Sequence, residues 1–200
     1  MDSAQHIVIA THNKHKLSEI TPFFSATTWT PVTADELDIL VPEVEETGKT
    51  FSENAELKAR AFLEACNKPV VADDSGLEVT ALNDEPGVHS NRWFPGNYQA
   101  RNEALLDRLK GETNRTARFV TVTCLLFPAE QPQFFRGEVN GTIALEPRGL
   151  EGFGYDPLFI PDGYTQSFAE LGDEIKSRLS HRARAFNQVV TALKDLSNAK

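Results

Sequence analysis

The stretch Val70–Val79, VVADDSGLEV, sets two adjacent carboxylates between apolar runs. An unpaired carboxylate is costly to bury. A chain that places Asp73 and Asp74 at the mouth of a core strand must therefore supply donors or cations for them. The segment reads as a short buried strand, Val70 to Ala72, ended by the two acids and a tight turn at Ser75-Gly76. In open α/β sheets, ligands sit beyond the carboxyl ends of strands. Adjacent strand side chains point to opposite faces, so only one acid of the pair can face a given site if strand geometry persists. The plain alternative is an N-cap or Asx-turn pair with no ligand.

The surroundings supply the layers. IVIATHNKHKLSEI reads as strand, polar turn and helix, with Leu17, Ile20 and Phe24 at helical spacing. TGKTFSENAELKARAFLEAC is a stronger helix, and its Thr50 and Glu53 fit a capping box. Strand–helix–strand–helix–strand order points to α/β layering. NYQARNEALLDRLKG reads as a helix with Leu105, Leu106 and Leu109 inward and Gly111 as its cap. TARFVTVTCLLF is a long strand. QFFRGEV and GTIAL follow as strands, with Asn140-Gly141 as a hairpin turn. SHRARAFNQVVTALKDL closes the chain as a helix capped by Ser180, with Phe186, Val189, Val190 and Leu193 on its apolar stripe. The expectation is a single domain over residues 1–200, a mixed sheet with flanking helices in two lobes.

The formal net charge is −9. Such a chain does not bind a nucleic-acid backbone by bulk charge, but local cations can still hold a small anion. Residues 1–9 show no basic n-region, and no run approaches a membrane span, so a cytoplasmic protein is expected. Cys66 and Cys124 are far apart and lie in apolar contexts, which reads as reduced core cysteines.

Other residues run against local rules. Lys14, His15 and Lys16 begin one helix, and His181, Arg182 and Arg184 begin the last, where the helix dipole favours acids. An exposed cation there costs only about 0.3–1 kcal/mol, so chance is one explanation; a bound anion is the other. Lys58 lies on the stripe of Phe51, Ala55 and Phe62. It is either a snorkelling lysine or one aimed into a cleft. The acidic loop Glu43–Gly48 can add an oxygen ligand to the Asp pair, and such hard donors favour Mg2+ or Mn2+ over zinc. GFGYDPLF offers rings for turn and core packing, or for stacking on a flat base. Acids, cations and rings together suggest a nucleotide. Neither a Walker loop nor a G-x-G-x-x-G element is present.

The blocks ATHNKHK, EETGKTFSENAELKAR, ADDSGLEV, PGVHSNR, GFGYDPLF and SHRARAF follow one another from Ala10 to Phe186. In this order the chain resembles the inosine triphosphate pyrophosphatase family, in particular its bacterial members (dITP/XTP pyrophosphatases) that hydrolyse noncanonical purine nucleoside triphosphates. His12 stands where the family often has glycine, and His89 where tyrosine is frequent. The resemblance implies an elongated two-lobed α/β fold with a long twisted mixed sheet flanked by helices, an active-site cleft between the lobes, and a homodimer. It implies hydrolysis of ITP, dITP and XTP to the monophosphate and pyrophosphate, which cleanses the nucleotide pool. The partner is a small nucleotide, with no nucleic acid or membrane engaged directly.

Carried over residue by residue, Glu46 and Asp74 would hold Mg2+, with Mn2+ as substitute. Asp74 would accept the proton of the attacking water, and Lys58 would act beside it. Thr11, His12, Asn13, Lys14, His15 and Lys16 would meet the phosphates. Ser75 and Lys176 would contact substrate. Phe153, Gly154 and Tyr155 would bracket the base, and Asp156, His181 and Arg182 would hydrogen-bond to it. A non-catalytic nucleotide sensor of the same fold would not need both Glu46 and Asp74. A metal phosphatase on simple esters would need no base platform and would release orthophosphate.

Overall fold

The computed structural model describes residues 5–41 and 43–198. Six strands form one sheet in the order β2-β1-β3-β4-β5-β6. They are β1 (Gln5–Ile9), β2 (Trp29–Val32), β3 (Val70–Val79), β4 (Thr116–Leu126), β5 (Gln133–Ile143) and β6 (Phe159–Pro161). β1 runs parallel to β2 and β3, whereas β5 and β6 are antiparallel, so the sheet is mixed. The helices are α1 (Lys14–Ile20), α2 (Phe51–Cys66), α3 (Tyr98–Arg108), α4 (Phe168–Leu179) and α5 (His181–Asn198). No helix of the described residues is long and apolar enough to cross a membrane.

The chain divides into two compact units. The first takes residues up to Asp74, then Thr121–Gly137 and Arg184 onward. Its strands are covered on both faces. On one face Val8, Val70, Ala72, Cys124 and Leu126 pack against Ala55, Ala59, Phe62 and Cys66 of α2. On the other, Ile7, Ile9, Val71 and Leu125 pack against Ile20 and Phe24 and against Phe186, Val189 and Leu193 of α5. Ile7, Val8 and Ile9 are all buried, the continuous apolar run expected of a parallel strand covered on both sides. The capping box of α2 is complete: Glu53 N donates to Thr50 Oγ1 at 3.2 Å, and Thr50 N donates to Glu53 Oε2 at 3.1 Å. Both cysteines are buried and free, and burial pushes the Cys124 thiol up to about 12.

The second unit takes Ser75–Val120 and Glu138–Ala183. Its core joins Leu77 and Val79 of β3, Leu105 of α3, Phe119 of β4, Ile143 of β5, Phe159 of β6 and Phe168 of α4. Arg115 ties this unit's backbone, donating to the carbonyls of Ile143 and Ala144, each at 2.7 Å.

Several boundaries differ from the sequence reading. β3 does not turn at Ser75-Gly76; it continues to Val79, so the two acids lie inside a strand. The backbone stays extended there because each carboxylate finds a lysine or an amide, as described below. α3 ends at Arg108, two residues short of Lys110, with Leu109 as its cap. α4 has no counterpart in the sequence reading. Its signal is the capping box of Ser167 and Glu170, and it bends at Gly172, whose φ is 75°. Asn140-Gly141 is not a hairpin turn but lies within β5. Gly141 instead allows close approach: a Cβ there would collide with the Ile160 carbonyl of β6.

Gly141→Ala should therefore destabilise the protein by roughly 1–3 kcal/mol, the usual range for overpacking. Asn140→Ala, at an exposed position of the same strand, should stay within about 0.5 kcal/mol. Thermal unfolding of both variants checks this. A hairpin turn at this dipeptide would make the Asn140 change the costlier.

Candidate active site

Strand alternation organises the first unit's polar groups. Val71 packs on the α1 side of the sheet, and Val70 and Ala72 on the α2 side. Asp73 and Asp74 continue that alternation. Asp73 Oδ2 lies 2.9 Å from Lys16 Nζ of α1. Asp74 turns to α2, where its Oδ2 accepts from Asn54 Nδ2 at 3.0 Å and its Oδ1 stands 3.7 Å from Lys58 Nζ. Lys58 Nζ also lies 2.6 Å from Glu46 Oε1. One ammonium thus stands between the two carboxylates proposed as metal ligands. Its stem stays on the apolar stripe of α2, so Lys58 is an inward lysine and not one reaching for solvent.

The charges follow from this geometry. Burial raises the Asp74 pKa, and the Glu46 charge raises it further; Lys58, Lys16 and the Asn54 amide offset only part of this. Burial works against the Lys58 ammonium, but Asp74, Asp73 and Glu46 outweigh it and hold its pKa above the ordinary lysine value.

The turn before α1 is tied internally. Thr11 Oγ1 accepts from Asn13 N at 3.1 Å, and Asn13 Oδ1 accepts from His15 N at 2.9 Å and Lys16 N at 3.3 Å. The first amides of this short helix are thus met by the Asn13 side chain, and Lys16 is the group of the cluster that reaches the buried acids. Lys14 and His15 are exposed. His12 is not among the left-handed residues, so its backbone needs no glycine. Its ring lies 5.8 Å from that of Phe62 on α2.

The second unit holds the ring-bearing set. Asp156 is its fixed point: Oδ2 accepts from Phe153 N at 2.7 Å and from Lys176 Nζ at 2.6 Å. Both Asp156 and Lys176 are buried. Gly152 and Gly154 have φ of 75° and 65°, which lets the loop fold back over this carboxylate. Lys176 Nζ stands 4.5 Å from the Phe153 ring centre, and the Arg182 guanidinium 5.8 Å from it. Arg182 also donates to Ser75 Oγ at 3.2 Å. The His181 ring stacks on Phe119 at 4.7 Å and 10°, which fixes its plane. Ser180 Oγ accepts from Ala183 N at 3.1 Å, as an N-cap of α5 does.

Tyr155 differs from expectation. Its ring lies in the core, and its hydroxyl donates to the Ser90 carbonyl at 3.1 Å. Burial pushes that hydroxyl up to about 12. Tyr155 therefore anchors the loop. Asp156 likewise holds Phe153 and Lys176.

Asn54, Ser90 and Tyr98 were missed in the sequence. Asn54 sits one turn before Lys58, and that i, i+4 spacing was the available signal. It also accepts from Gly48 N at 2.8 Å, tying the acidic loop to α2. Ser90 Oγ accepts from Leu77 N at 2.8 Å and donates to the Gly87 carbonyl at 2.6 Å. Tyr98 of α3 lies 6.2 Å from Phe153, ring to ring, and nothing local marks it.

Glu46 and Asp74 suit a hard divalent cation. They are oxygen donors, they repel one another, and a cationic group already stands beside both. Among the described residues no group of three or more His, Cys, Asp or Glu side chains is placed to hold a metal ion by itself.

The sequence model of the Ham1 family matches residues 7–192. The chain is 46% identical to a dITP/XTP pyrophosphatase of Deinococcus deserti, over 96% of this chain and 90% of that protein. It is 43% identical to one of Agrobacterium fabrum, over 92% and 94%. Among solved structures it is similar to the Staphylococcus aureus Ham1 protein, with a TM-score of 0.86 and 40% identity over 96% of this chain and 99% of that one. A HAM1 protein from Coxiella burnetii gives a TM-score of 0.88 and 37% identity over 95% and 98%.

The raised Asp74 pKa has a stability consequence. The folded protein holds this proton more tightly than the unfolded chain. The stability it contributes is full below the ordinary value of 3.8 and is lost as pH rises through the raised folded value. Asp74→Asn removes that loss. With chelator present, its Tm should exceed wild type near pH 7, and the difference should shrink towards pH 4. A Tm below wild type at pH 7 would show that Asp74 ionises favourably in the fold.

Proposed function

The chain belongs to the Ham1 family, and we propose that it hydrolyses noncanonical purine nucleoside triphosphates, ITP, dITP and XTP, to the monophosphate and pyrophosphate. The observation that carries this reading is the Glu46–Lys58–Asp74 arrangement, in a chain similar over nearly its whole length to proteins named dITP/XTP pyrophosphatase. Such an enzyme removes these nucleotides before they enter DNA or RNA.

Glu46 and Asp74 are the residues that would hold Mg2+, with Mn2+ as substitute; bound there, the ion supplies positive charge to the phosphates and lowers the pKa of water. Asp74 is assigned the proton of the attacking water. Beside a divalent cation a carboxylate is a weak base, so the ion's effect on the water would do much of the work. Water adds at the α-phosphorus, the bond to the bridging oxygen breaks, and pyrophosphate leaves. Lys16 and Lys58 supply positive charge to the phosphates, where negative charge develops. Lys16 is aimed by Asp73, and Asp74 by Asn54. Thr11 and Asn13 shape the turn that presents Lys16.

The base is assigned to the second unit's set. Phe153 offers a ring face, held by its amide's bond to Asp156, and Lys176 is pinned behind it. His181 and Arg182 are the donors for the carbonyl oxygen at position 6 of hypoxanthine or xanthine. Adenine presents an amino donor there, and arginine cannot accept. Guanine shares the carbonyl, so its 2-amino group must be refused elsewhere around Phe153–Asp156. A homodimer acting on small nucleotides is part of the same reading.

The test is product analysis on a panel of purine triphosphates, with and without Mg2+. Pyrophosphate is the expected product. ITP and XTP should exceed ATP in kcat/KM by roughly 100-fold or more, since a site built for one hydrogen-bonding group rejects an analogue lacking it. GTP should also be poor. Arg182→Ala should narrow the gap between ITP and ATP by damaging ITP. Orthophosphate as sole product, or ATP cleaved as fast as ITP at subsaturating concentration, would overturn the reading.

A further inference from the structure

Lys58 stands where an incoming cation would stand. Its Nζ is 2.6 Å from Glu46 Oε1 and 3.7 Å from Asp74 Oδ1. The Lys58 side chain is 13% exposed, that of Asp74 7% and that of Glu46 25%. Two like charges in so poorly solvated a place repel strongly, and this repulsion is part of what raises the Asp74 pKa. The ammonium relieves it. A divalent cation at the same carboxylates would relieve it too, with twice the charge. Ammonium and ion compete for one oxygen: Lys58 Nζ holds Glu46 Oε1 at 2.6 Å, so an ion that takes this oxygen must displace it.

We propose that Lys58 is a built-in counter-cation for the Glu46–Asp74 pair, and that a divalent cation enters by displacing its ammonium from Glu46. The inference rests on the proposed function only for the identity of the metal ligands. The displacement gives Lys58 two settings. Paired with Glu46, it keeps the buried acids neutralised. Released, its stem still rooted on the stripe of Phe51, Ala55 and Phe62, it has a charge free for the anionic oxygens of a phosphate chain. Entry of the metal and release of a phosphate-binding lysine become one event. Asn54 stays on Asp74 Oδ2 throughout, so the aspartate keeps its orientation while Lys58 changes partner.

Two measurements on the full-length protein test this. The first is Mn2+ binding by electron paramagnetic resonance, in the absence of nucleotide. Lys58→Met keeps the apolar stem and removes the competitor, so it should bind Mn2+ roughly tenfold tighter than wild type, the scale of one charge-assisted hydrogen bond. Glu46→Gln should weaken binding, which locates the ion. The second measurement uses wild type alone. Acetylation of Lys58 by acetic anhydride, followed by mass spectrometry, should rise severalfold on saturation with Mn2+, while that of exposed Lys49 stays constant. No gain in affinity for Lys58→Met, or Lys58 labelling unmoved by Mn2+, overturns the displacement. If ITP turnover still requires a divalent cation in that case, the proposed function stands and only the displacement falls. ITP turnover with no divalent cation removes the displacement together with the metal's part in the reaction, and leaves the hydrolysis of ITP standing.

Discussion

The period of two along β3 is the constraint on which the first unit's chemistry depends. Asp73 and Asp74 are neighbours in sequence, yet one faces α1 and the other α2. Each therefore meets a different lysine, Lys16 or Lys58. Two carboxylates on one face would have repelled each other in a poorly solvated place. Split across the sheet, each is met locally, Asp73 by Lys16 and Asp74 by Asn54 and Lys58, which offset part of the cost of its burial. A slip of one residue would exchange the faces and take each acid away from its own partners.

The second unit solves a related problem with one carboxylate. Asp156 binds the backbone of Phe153 and the ammonium of Lys176 through the same oxygen. Lys176 then lies against the Phe153 ring, and Arg182 stands further off the same ring. An aromatic ring on a glycine-rich loop would otherwise be mobile. Here it is held by its amide, by cations against its ring and by the anchored hydroxyl of Tyr155, two residues on. A ring held in this way loses little freedom when a ligand packs against it, whereas a loosely held ring gives up binding energy to ordering.

Much of the layering was legible in the sequence, and the failures have physical causes. The apolar stripe of α2 and its capping box are local signals, and both appear as expected. Lys58 was legible as a misplaced charge on that stripe. The continuous β3 was not, because Asp, Ser and Gly are turn residues by local preference, and only Lys16, Asn54 and Lys58, distant in sequence, make an extended backbone tenable there. Asn140-Gly141 failed in the same way: a turn dipeptide by local rule is a close-packing glycine once β6 lies beside it. For Tyr155 the residues alone left core packing and base stacking both open, because a tyrosine between glycine and aspartate carries no mark of burial. Its anchoring depends on Ser90, a contact between residues far apart in the chain.

The division of labour on β3 is tested most directly by the kinetics of Asp73→Asn and Asp74→Asn on ITP, measured side by side with both proteins shown to be folded. Asp74→Asn is expected to lose nearly all kcat, because the amide gives neither the charge nor the base. Asp73→Asn is expected to act through a loosened Lys16, raising KM more than it lowers kcat. Equal loss of kcat in the two variants would contradict the assignment of chemistry to the α2 face of the strand.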